Sequence, residues 1–300
     1  GVEQIDERDR GQHTRLAIGT RGDRCRIERV GDGEQRVRLG AVEDDLVSLL
    51  VDERQPRRHE ATVASGSMRA VTVTEGRLEV AERPVPEPRG GEVLVRIHGA
   101  GLNRADLLQR AGRYPAPPGV PADIPGLEFS GVVAATGPDA SGRPSGLGVG
   151  DRVFGITGGG AQADYLTVPA THCAPVPDGL DLVGTGGVPE AFITAHDALA
   201  TQARYARGEW VLIHAVGSGV GTAALQLVKA LDGRVVGTAR TPVKLDRSRA
   251  LGLDHGIVAP VRDDGALDVG ALALAVIEAT GGGANVTLDL VGGAYVEASI

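Results

Sequence analysis

The pattern of apolar and polar positions changes near residue 189 of the chain. From 68 to about 188, short apolar runs alternate with Gly and Pro, which predicts strands joined by turns. From 189 onward, stretches with helical spacing alternate with short apolar runs, which predicts a parallel sheet covered by helices. The pattern therefore predicts an α/β protein with a β-barrel-like domain followed by a doubly wound sheet.

The predicted elements can be given by number. The first region is predicted to hold strands at 69–74, 78–81, 93–99, 129–135, 152–155 and 163–168, and a helix at 104–111 with Asn103 as its N-cap. The second region is predicted to hold helices at 190–203, 219–231, 242–251 and 270–280, and strands at 210–215, 234–239, 256–259 and 285–290. We therefore expect domains at 68–188 and 189–300.

Residues 1–67 differ from both regions. They are rich in Arg, Asp and Glu and contain no Lys, Phe, Tyr or Trp. Such a segment can bury little apolar surface, so we expect a disordered N-terminal extension. Met68 is the single methionine, and clear strand patterning begins directly after it. We therefore expect Met68 to be the natural start.

A glycine-rich turn carries the strongest chemical signal. The apolar run 210–213 leads into Gly217, Ser218, Gly219, Val220 and Gly221, and an apolar helical stripe follows. Strand, glycine turn and helix N-terminus together present backbone N–H groups and partial positive charge to a pyrophosphate. The pattern predicts a dinucleotide site; the alternative is a glycine turn that binds no ligand.

The turn after the second predicted strand bears on which dinucleotide is bound. An NAD site has an acidic residue about 20 residues beyond the glycines, to accept the ribose hydroxyls. This chain has Arg240, Thr241 and Lys244 in that neighbourhood, with no Asp or Glu among residues 234–244. Cationic side chains favour a 2′-phosphate, so NADPH is predicted; the alternative is that they are ordinary solvated charges.

Composition excludes several classes of function. The net charge of −8 gives a nucleic-acid partner no electrostatic support, and no run of about 18 apolar residues or leader-like segment predicts a membrane span or a signal peptide. The two cysteines, Cys25 and Cys173, make no disulfide framework, and the seven histidines show no metal-ligand spacing. We expect a cytoplasmic protein without metal, and a core role for His214.

A set of motifs gives the chain a family resemblance. They are Pro86-x-Pro88-x-x-Gly91-Glu92-Val93, Leu102-Asn103-Arg104-Ala105-Asp106-Leu107, Gly126-Leu127-Glu128-x-x-Gly131, Val149-Gly150-Asp151-Arg152-Val153, Pro189-Glu190-Ala191-Phe192-x-Thr194-Ala195, the 211–224 turn and Asp289-Leu290-Val291-Gly292-Gly293. Over 68–300 the chain resembles the quinone oxidoreductase (zeta-crystallin-like) branch of the medium-chain dehydrogenase/reductase superfamily, with closest likeness to the tumour-suppressor-inducible NADPH:quinone oxidoreductase type.

The resemblance implies a GroES-like catalytic domain, a Rossmann domain and NADPH as cofactor. It places Asn103, Asp106 and Tyr114 beside the nicotinamide and the substrate, and Thr194 on the nicotinamide side. It assigns the 2′-phosphate to Arg240 and Lys244. Zinc-dependent members have a cysteine ligand where this chain has Asn103 and a histidine where it has Leu127, so the implied chemistry is zinc-independent. Glu128, which those members keep near the metal, is expected to serve only local hydrogen bonding.

The implied reaction is hydride transfer from NADPH to a quinone. Two alternatives stay open, namely reduction of an enoyl thioester or an α,β-unsaturated ketone, and an inactive fragment that only binds NADPH. A doubly wound dinucleotide fold has six strands, and we predict four after residue 205, so we expect a C-terminal truncation. For a full-length protein the resemblance implies a homodimer.

Overall fold

A computed structural model describes residues 66–138 and 146–300, together with the backbone of two strands, β1 (Arg26–Val30) and β2 (Glu34–Arg38). These two strands pair antiparallel. The other residues before Gly66 lie outside the described residues, so the disorder of the predicted extension at 1–67 stays a prediction. The chain divides into two compact units between Pro189 and Glu190, one residue beyond the predicted boundary.

The described part of the first unit is mainly antiparallel sheet. Its strands are β3 (Ser67–Thr74), β4 (Arg77–Pro84), β5 (Glu92–Ala100), β6 (Glu128–Thr136), β7 (Arg152–Ile156), β8 (Tyr165–Pro169) and β9 (Cys173–Pro175). β3 and β4 form a hairpin, and the other five make a sheet in the order β8-β5-β6-β7-β9. A bridge between Ala70 and Ala163 joins the hairpin to the chain entering β8. Sequence patterning predicted every strand of this unit from β3 on except β9.

Alternation along the strands builds the core of the first unit. Val93 and Val95 on β5 are fully buried, and they share one apolar cluster with Phe129, Val133 and Val153 from the neighbouring strands. Successive side chains of a strand point to opposite faces, so every second residue enters this core. The helix α1 (Arg104–Arg110) begins after Asn103, as predicted.

The second unit alternates strands and helices. Its strands are β10 (Trp210–Ile213), β11 (Arg234–Ala239), β12 (His255–Val258) and β13 (Val286–Leu288), and its helices are α2 (Pro189–His196, whose first residue precedes the boundary), α3 (Gly219–Ala230), α4 (Pro242–Arg249), α5 (Val269–Thr280) and α6 (Ala294–Glu297). The strands pair in parallel in the order β12-β11-β10-β13. If the four strands of this unit are numbered 1 to 4 from β10 to β13, their order in the sheet is 3-2-1-4. This is the order of the first four strands in a doubly wound dinucleotide sheet. The helix predicted at 190–203 ends earlier, because Asp197–Gln202 winds as a π-helical segment.

Strand β10 is apolar on both faces, which explains why its sequence shows no alternation. Val211 and Ile213 pack in one cluster with residues of α3, while Trp210 and Leu212 pack in another with residues of α5. A strand covered by helices on both sides must be apolar throughout. β10 is therefore the central strand from which the glycine turn leaves. No described helix is both long and apolar enough to cross a bilayer.

Candidate nucleotide and reactant sites

The glycine turn joins β10 to the N-terminus of α3, at the carboxyl edge of the parallel sheet. Ser218 caps the helix, and its hydroxyl oxygen accepts a hydrogen bond from the Gly221 amide at 3.1 Å. The amides of Gly219 and Val220 lie in the first turn, where no acceptor exists within the helix. They are therefore positioned to bind an anion at the positive end of a twelve-residue helix.

Two of the turn glycines are required for different reasons. A Cβ on Gly221 would lie 2.5 Å from the carbonyl oxygen of Ala215 and 2.8 Å from that of Val216, so the helix and the turn can approach only at a glycine. A Cβ on Gly219 would meet nothing within 4 Å. The fold therefore does not explain Gly219, whereas close approach of a diphosphate would. The turn fits the diphosphate of a dinucleotide.

One of the predicted phosphate-binding cations lies against this turn, and the other follows the strand that pairs with β10. A Cβ on Gly217 would come within 2.9 Å of the Lys244 Cβ, so the aliphatic part of Lys244 packs directly against the turn. Arg240 follows β11 and Thr241 precedes α4; both are exposed, as is Lys244. Neither Arg240 nor Lys244 is in an ion pair with any part of the chain that the structure describes. Both cations are thus available to an anionic ligand.

The other predicted residue of the second unit, Thr194, is exposed on α2. Its position in a nicotinamide site stays a prediction, because no described contact joins it to the turn. The side chain of Val220 packs against the apolar core, so this residue can offer a ligand only its backbone. Trp210, the sole tryptophan, starts β10 and so lies at the strand end opposite the turn.

In the first unit, Asp106 ties two segments together. One carboxylate oxygen accepts from the Asn103 amide at 2.7 Å, and the other accepts from the Gly126 amide at 3.0 Å. Burial raises the pKa of Asp106 above its ordinary value, and the two amide donors oppose that rise. Because both oxygens are engaged by the backbone, Asp106 is suited to hold the site in shape rather than to transfer protons.

The Asn103 side chain makes its own contact with a buried acid. Its Nδ2 donates to Oε1 of Glu128 at 2.7 Å, and Glu128 is only 2% exposed. Asn103 and Asp106 are thus brought together, with Glu128 as a third member. Tyr114, in the loop after α1, is 41% exposed, and no described contact joins it to these residues. The Gly126-Leu127-Glu128 motif was the sequence signal for Glu128, although its contact with Asn103 was not predicted.

His214 lies buried directly after β10. Its Nδ1 is 3.0 Å from the Thr238 hydroxyl, and its Nε2 is 3.1 Å from the Ser299 hydroxyl. Since the Ser299 hydroxyl donates its hydrogen to the Tyr295 carbonyl, its oxygen must accept from His214 Nε2–H. The neutral ring therefore carries its proton on Nε2, and Nδ1 accepts from the Thr238 hydroxyl. His214 is therefore the satisfied core histidine that the sequence predicted. Burial lowers its pKa, and the negative charge of Asp289 partly opposes this.

This histidine makes folding stability depend on pH. Its folded-state pKa lies below the unfolded value of 6.5, so the unfolded chain takes up the proton first as the pH falls. We expect the free energy of unfolding to decrease below pH 6.5, by at most about 1.4 kcal/mol per pH unit. Urea unfolding at a series of pH values would measure this. His214→Gln should reduce the change of unfolding free energy with pH, whereas His172→Gln, at an exposed position, should leave that change as in the wild type. The same pH dependence in the wild type and both variants would contradict the prediction.

The described residues contain no group of three or more His, Cys, Asp or Glu side chains placed to hold a metal ion. Cys173 is partly buried, and burial raises the pKa of its thiol to about 12, which disfavours the thiolate that metals bind. The absence of zinc from the chemistry stays a prediction.

Comparison with known proteins agrees with this architecture. The family model for the alcohol dehydrogenase GroES-like domain matches residues 89–178, and the model for the zinc-binding dehydrogenase matches 219–300. The chain is 37% identical over 236 residues to a pikromycin polyketide synthase component, PikAII, of Streptomyces venezuelae. This match covers 78% of the chain and 6% of that much longer protein.

Two solved mycobacterial structures are similar over most of the chain. One is a quinone oxidoreductase, 32% identical with a TM-score of 0.67, and the match covers 77% of this chain and 69% of that one. The other was solved in complex with NADPH and is 33% identical with a TM-score of 0.68, covering 77% and 70%. The predicted fold class, a GroES-like domain with a Rossmann-type sheet, is confirmed. The chain belongs to the medium-chain dehydrogenase/reductase superfamily.

Proposed function

We propose that this chain is part of a zinc-independent oxidoreductase that uses NADPH to reduce a quinone, of the tumour-suppressor-inducible type. The observation that carries the proposal is the packing of Lys244 against Gly217, which puts a cation with no ion pair among the described residues beside a helix N-terminus that can bind an anion. One phosphate group can then bind the α3 amides while a second binds the cation. The similar mycobacterial structure that contains NADPH supports this choice of cofactor.

Each predicted residue then has a role toward the cofactor or the acceptor. The amides of Gly219 and Val220 bind the diphosphate, Arg240, Thr241 and Lys244 bind the 2′-phosphate, and Thr194 faces the nicotinamide. Asn103 and Tyr114 offer hydrogen bonds to the reactants, and Asp106 holds Asn103 in place. When bound, NADPH supplies the hydride.

A quinone needs little further assistance from the protein. As it accepts hydride, negative charge develops on an oxygen conjugated to the ring, so proximity and modest hydrogen bonding suffice. No strongly activated nucleophile or base is needed for this step. The amide of Asn103 and the hydroxyl of Tyr114 can supply such hydrogen bonds without changing their protonation.

A second candidate is reduction of an enoyl thioester or an α,β-unsaturated ketone. The 37% identity to a polyketide synthase component makes it plausible. The cofactor site would be the same for both candidates, and only the acceptor would differ. The proposal also includes a cytoplasmic location and a homodimer for a full-length protein.

Cofactor binding and turnover should be measured separately. We expect calorimetry to show tighter binding of NADPH than of NADH, and steady-state assays to show faster NADPH oxidation with 1,2-naphthoquinone than with crotonyl-CoA. Preference for crotonyl-CoA would select the second candidate. Binding without turnover of either acceptor would indicate a nucleotide-binding fragment, and tighter binding of NADH would overturn the cofactor assignment.

A further inference from the structure

Glu128 is a buried acid at the start of β6 whose role the proposed reaction does not yet explain. Its carboxylate lies 2.7 Å from the Asn103 side-chain amide, and the residue is almost completely removed from solvent. Burying a carboxylate is costly unless hydrogen bonds compensate for the lost water. A buried carboxylate that is held by a hydrogen bond from Asn103 needs an explanation beyond filling space.

The chain makes room for this carboxylate next to Asn103. A Cβ on Gly101 would overlap with Oε1 of Glu128 and would lie 2.7 Å from its Cγ, so any larger residue at 101 would displace the acid. The backbone of Gly101 is not in the left-handed region, so conformation does not require glycine there. Gly101 is therefore matched to Glu128, two residues before the side chain that Glu128 contacts.

The backbone of Asn103 is held by a different acid. Asp106 binds the Asn103 amide and the Gly126 amide, which fixes the main chain at both positions. The Asn103 side-chain oxygen closes a capping box with the Asp106 amide, and Glu128 adds a hydrogen bond at the NH2 end of the same side chain. A carboxylate can only accept, so Glu128 engages one N–H of the Asn103 amide and thereby fixes the direction in which the second N–H can donate.

We propose that Glu128 is a positioning residue for hydride transfer, which fixes the side-chain amide of Asn103 in one orientation toward the reactants. This inference rests on the proposed function, because it takes Asn103 to border the nicotinamide and the acceptor. Small misplacements of a positioned group cost rate even when binding is intact, on the order of 100-fold for about 1 Å. Glu128 therefore acts on the rate through Asn103, and makes no contact with the acceptor.

Two substitutions at 128 and one control test this role. Glu128→Gln keeps an acceptor oxygen and should retain part of the orientation, whereas Glu128→Ala removes it. The control is Ser130→Ala, on the same strand and equally buried, whose hydroxyl donates to the Leu182 carbonyl, so that its loss weakens the fold without touching Asn103. All variants are compared with the wild-type chain by urea unfolding, by NADPH calorimetry and by kcat and KM.

We expect kcat to fall about 100-fold in Glu128→Ala and less in Glu128→Gln, with NADPH affinity unchanged within about twofold. Ser130→Ala should lower stability but keep kcat. If kcat in Glu128→Ala falls no further than in Ser130→Ala, the role is structural and the proposal is overturned.

A second readout does not depend on activity. The Asn103 side-chain amide can be identified by NMR as the resonance lost in Asn103→Ala. We expect one of its protons to exchange slowly in the wild-type chain and rapidly in Glu128→Ala. Unchanged exchange would overturn the proposal even if kcat fell. Failure of the wild-type chain to bind NADPH would instead overturn the proposed function, and the exchange data would still report whether Glu128 orients Asn103.

Discussion

Gly221→Ala should strongly weaken NADPH binding and destabilise the second unit. The new methyl group would overlap with the backbone carbonyls of Ala215 and Val216, which cannot move aside as a side chain could. Overpacking of this kind typically costs about 1–3 kcal/mol of unfolding free energy. Because the turn must open to relieve the overlap, the first-turn amides of α3 would also lose their alignment. We expect NADPH affinity to fall more than about 100-fold, or about 2.7 kcal/mol.

Gly219→Ala is the matched comparison, because it adds the same methyl group two residues away. Nothing lies within 4 Å of the new atom, so the unfolding free energy should stay within about 1 kcal/mol of wild type. The methyl group would nevertheless occupy the open side of the turn, and we expect NADPH affinity to fall about tenfold or more. Urea unfolding and calorimetry measure the two quantities separately. Full NADPH affinity in Gly219→Ala would show that no diphosphate approaches this turn.

The double substitution Arg240→Ala and Lys244→Ala should remove the preference for NADPH. Both cations are exposed and free of described ion pairs, Lys244 packs against the turn and Arg240 follows β11, so each can bind a phosphate oxygen. We expect a loss of about tenfold in NADPH affinity per residue, each about 1.4 kcal/mol, because charge-assisted hydrogen bonds at exposed positions are weakened by solvent. NADH lacks the 2′-phosphate and should bind as before.

Calorimetric titration with NADPH and NADH, at low and high salt, tests whether Arg240 and Lys244 bind the 2′-phosphate. The wild-type preference for NADPH should shrink as salt is raised, since exposed charges are screened. Arg247→Ala is the control, because it removes another exposed cation from α4, and it should leave both affinities unchanged. Equal losses of NADPH and NADH affinity in the double variant would mean that the two cations bind something other than a 2′-phosphate.

The sequence predicted the secondary structure well where its periodicity was distinct. β10, its glycine turn and α3 were located within about two residues, because a two-sided buried strand and an amphipathic helix have different apolar patterns. β9 was missed because three residues are too few to show a period. The early end of α2 was missed as well, since the π-helical segment keeps the same apolar spacing over its short length.

The site was predicted less completely than the fold, for a physical reason. Residue types identified the turn and its nearby cations, but the contact between Lys244 and Gly217 depends on β11 pairing beside β10. In the same way, Gly101 and Glu128 are 27 positions apart in the sequence and meet only because β5 pairs with β6. Strand pairing sets such contacts, and the residue pattern of a single sequence does not show which residues of two strands will pair.

The two hydrogen bonds of the Asp106 carboxylate bear on how the acceptor range of this protein could be changed by design. Both hydrogen bonds come from main-chain amides, so they do not depend on which side chain occupies position 103. A replacement at 103 would leave these two hydrogen bonds of Asp106 in place, but it would also have to donate a hydrogen bond to the buried Glu128 carboxylate, which Asn103 now binds. A saturation library at that one codon is thus the economical starting point for widening the range of acceptors.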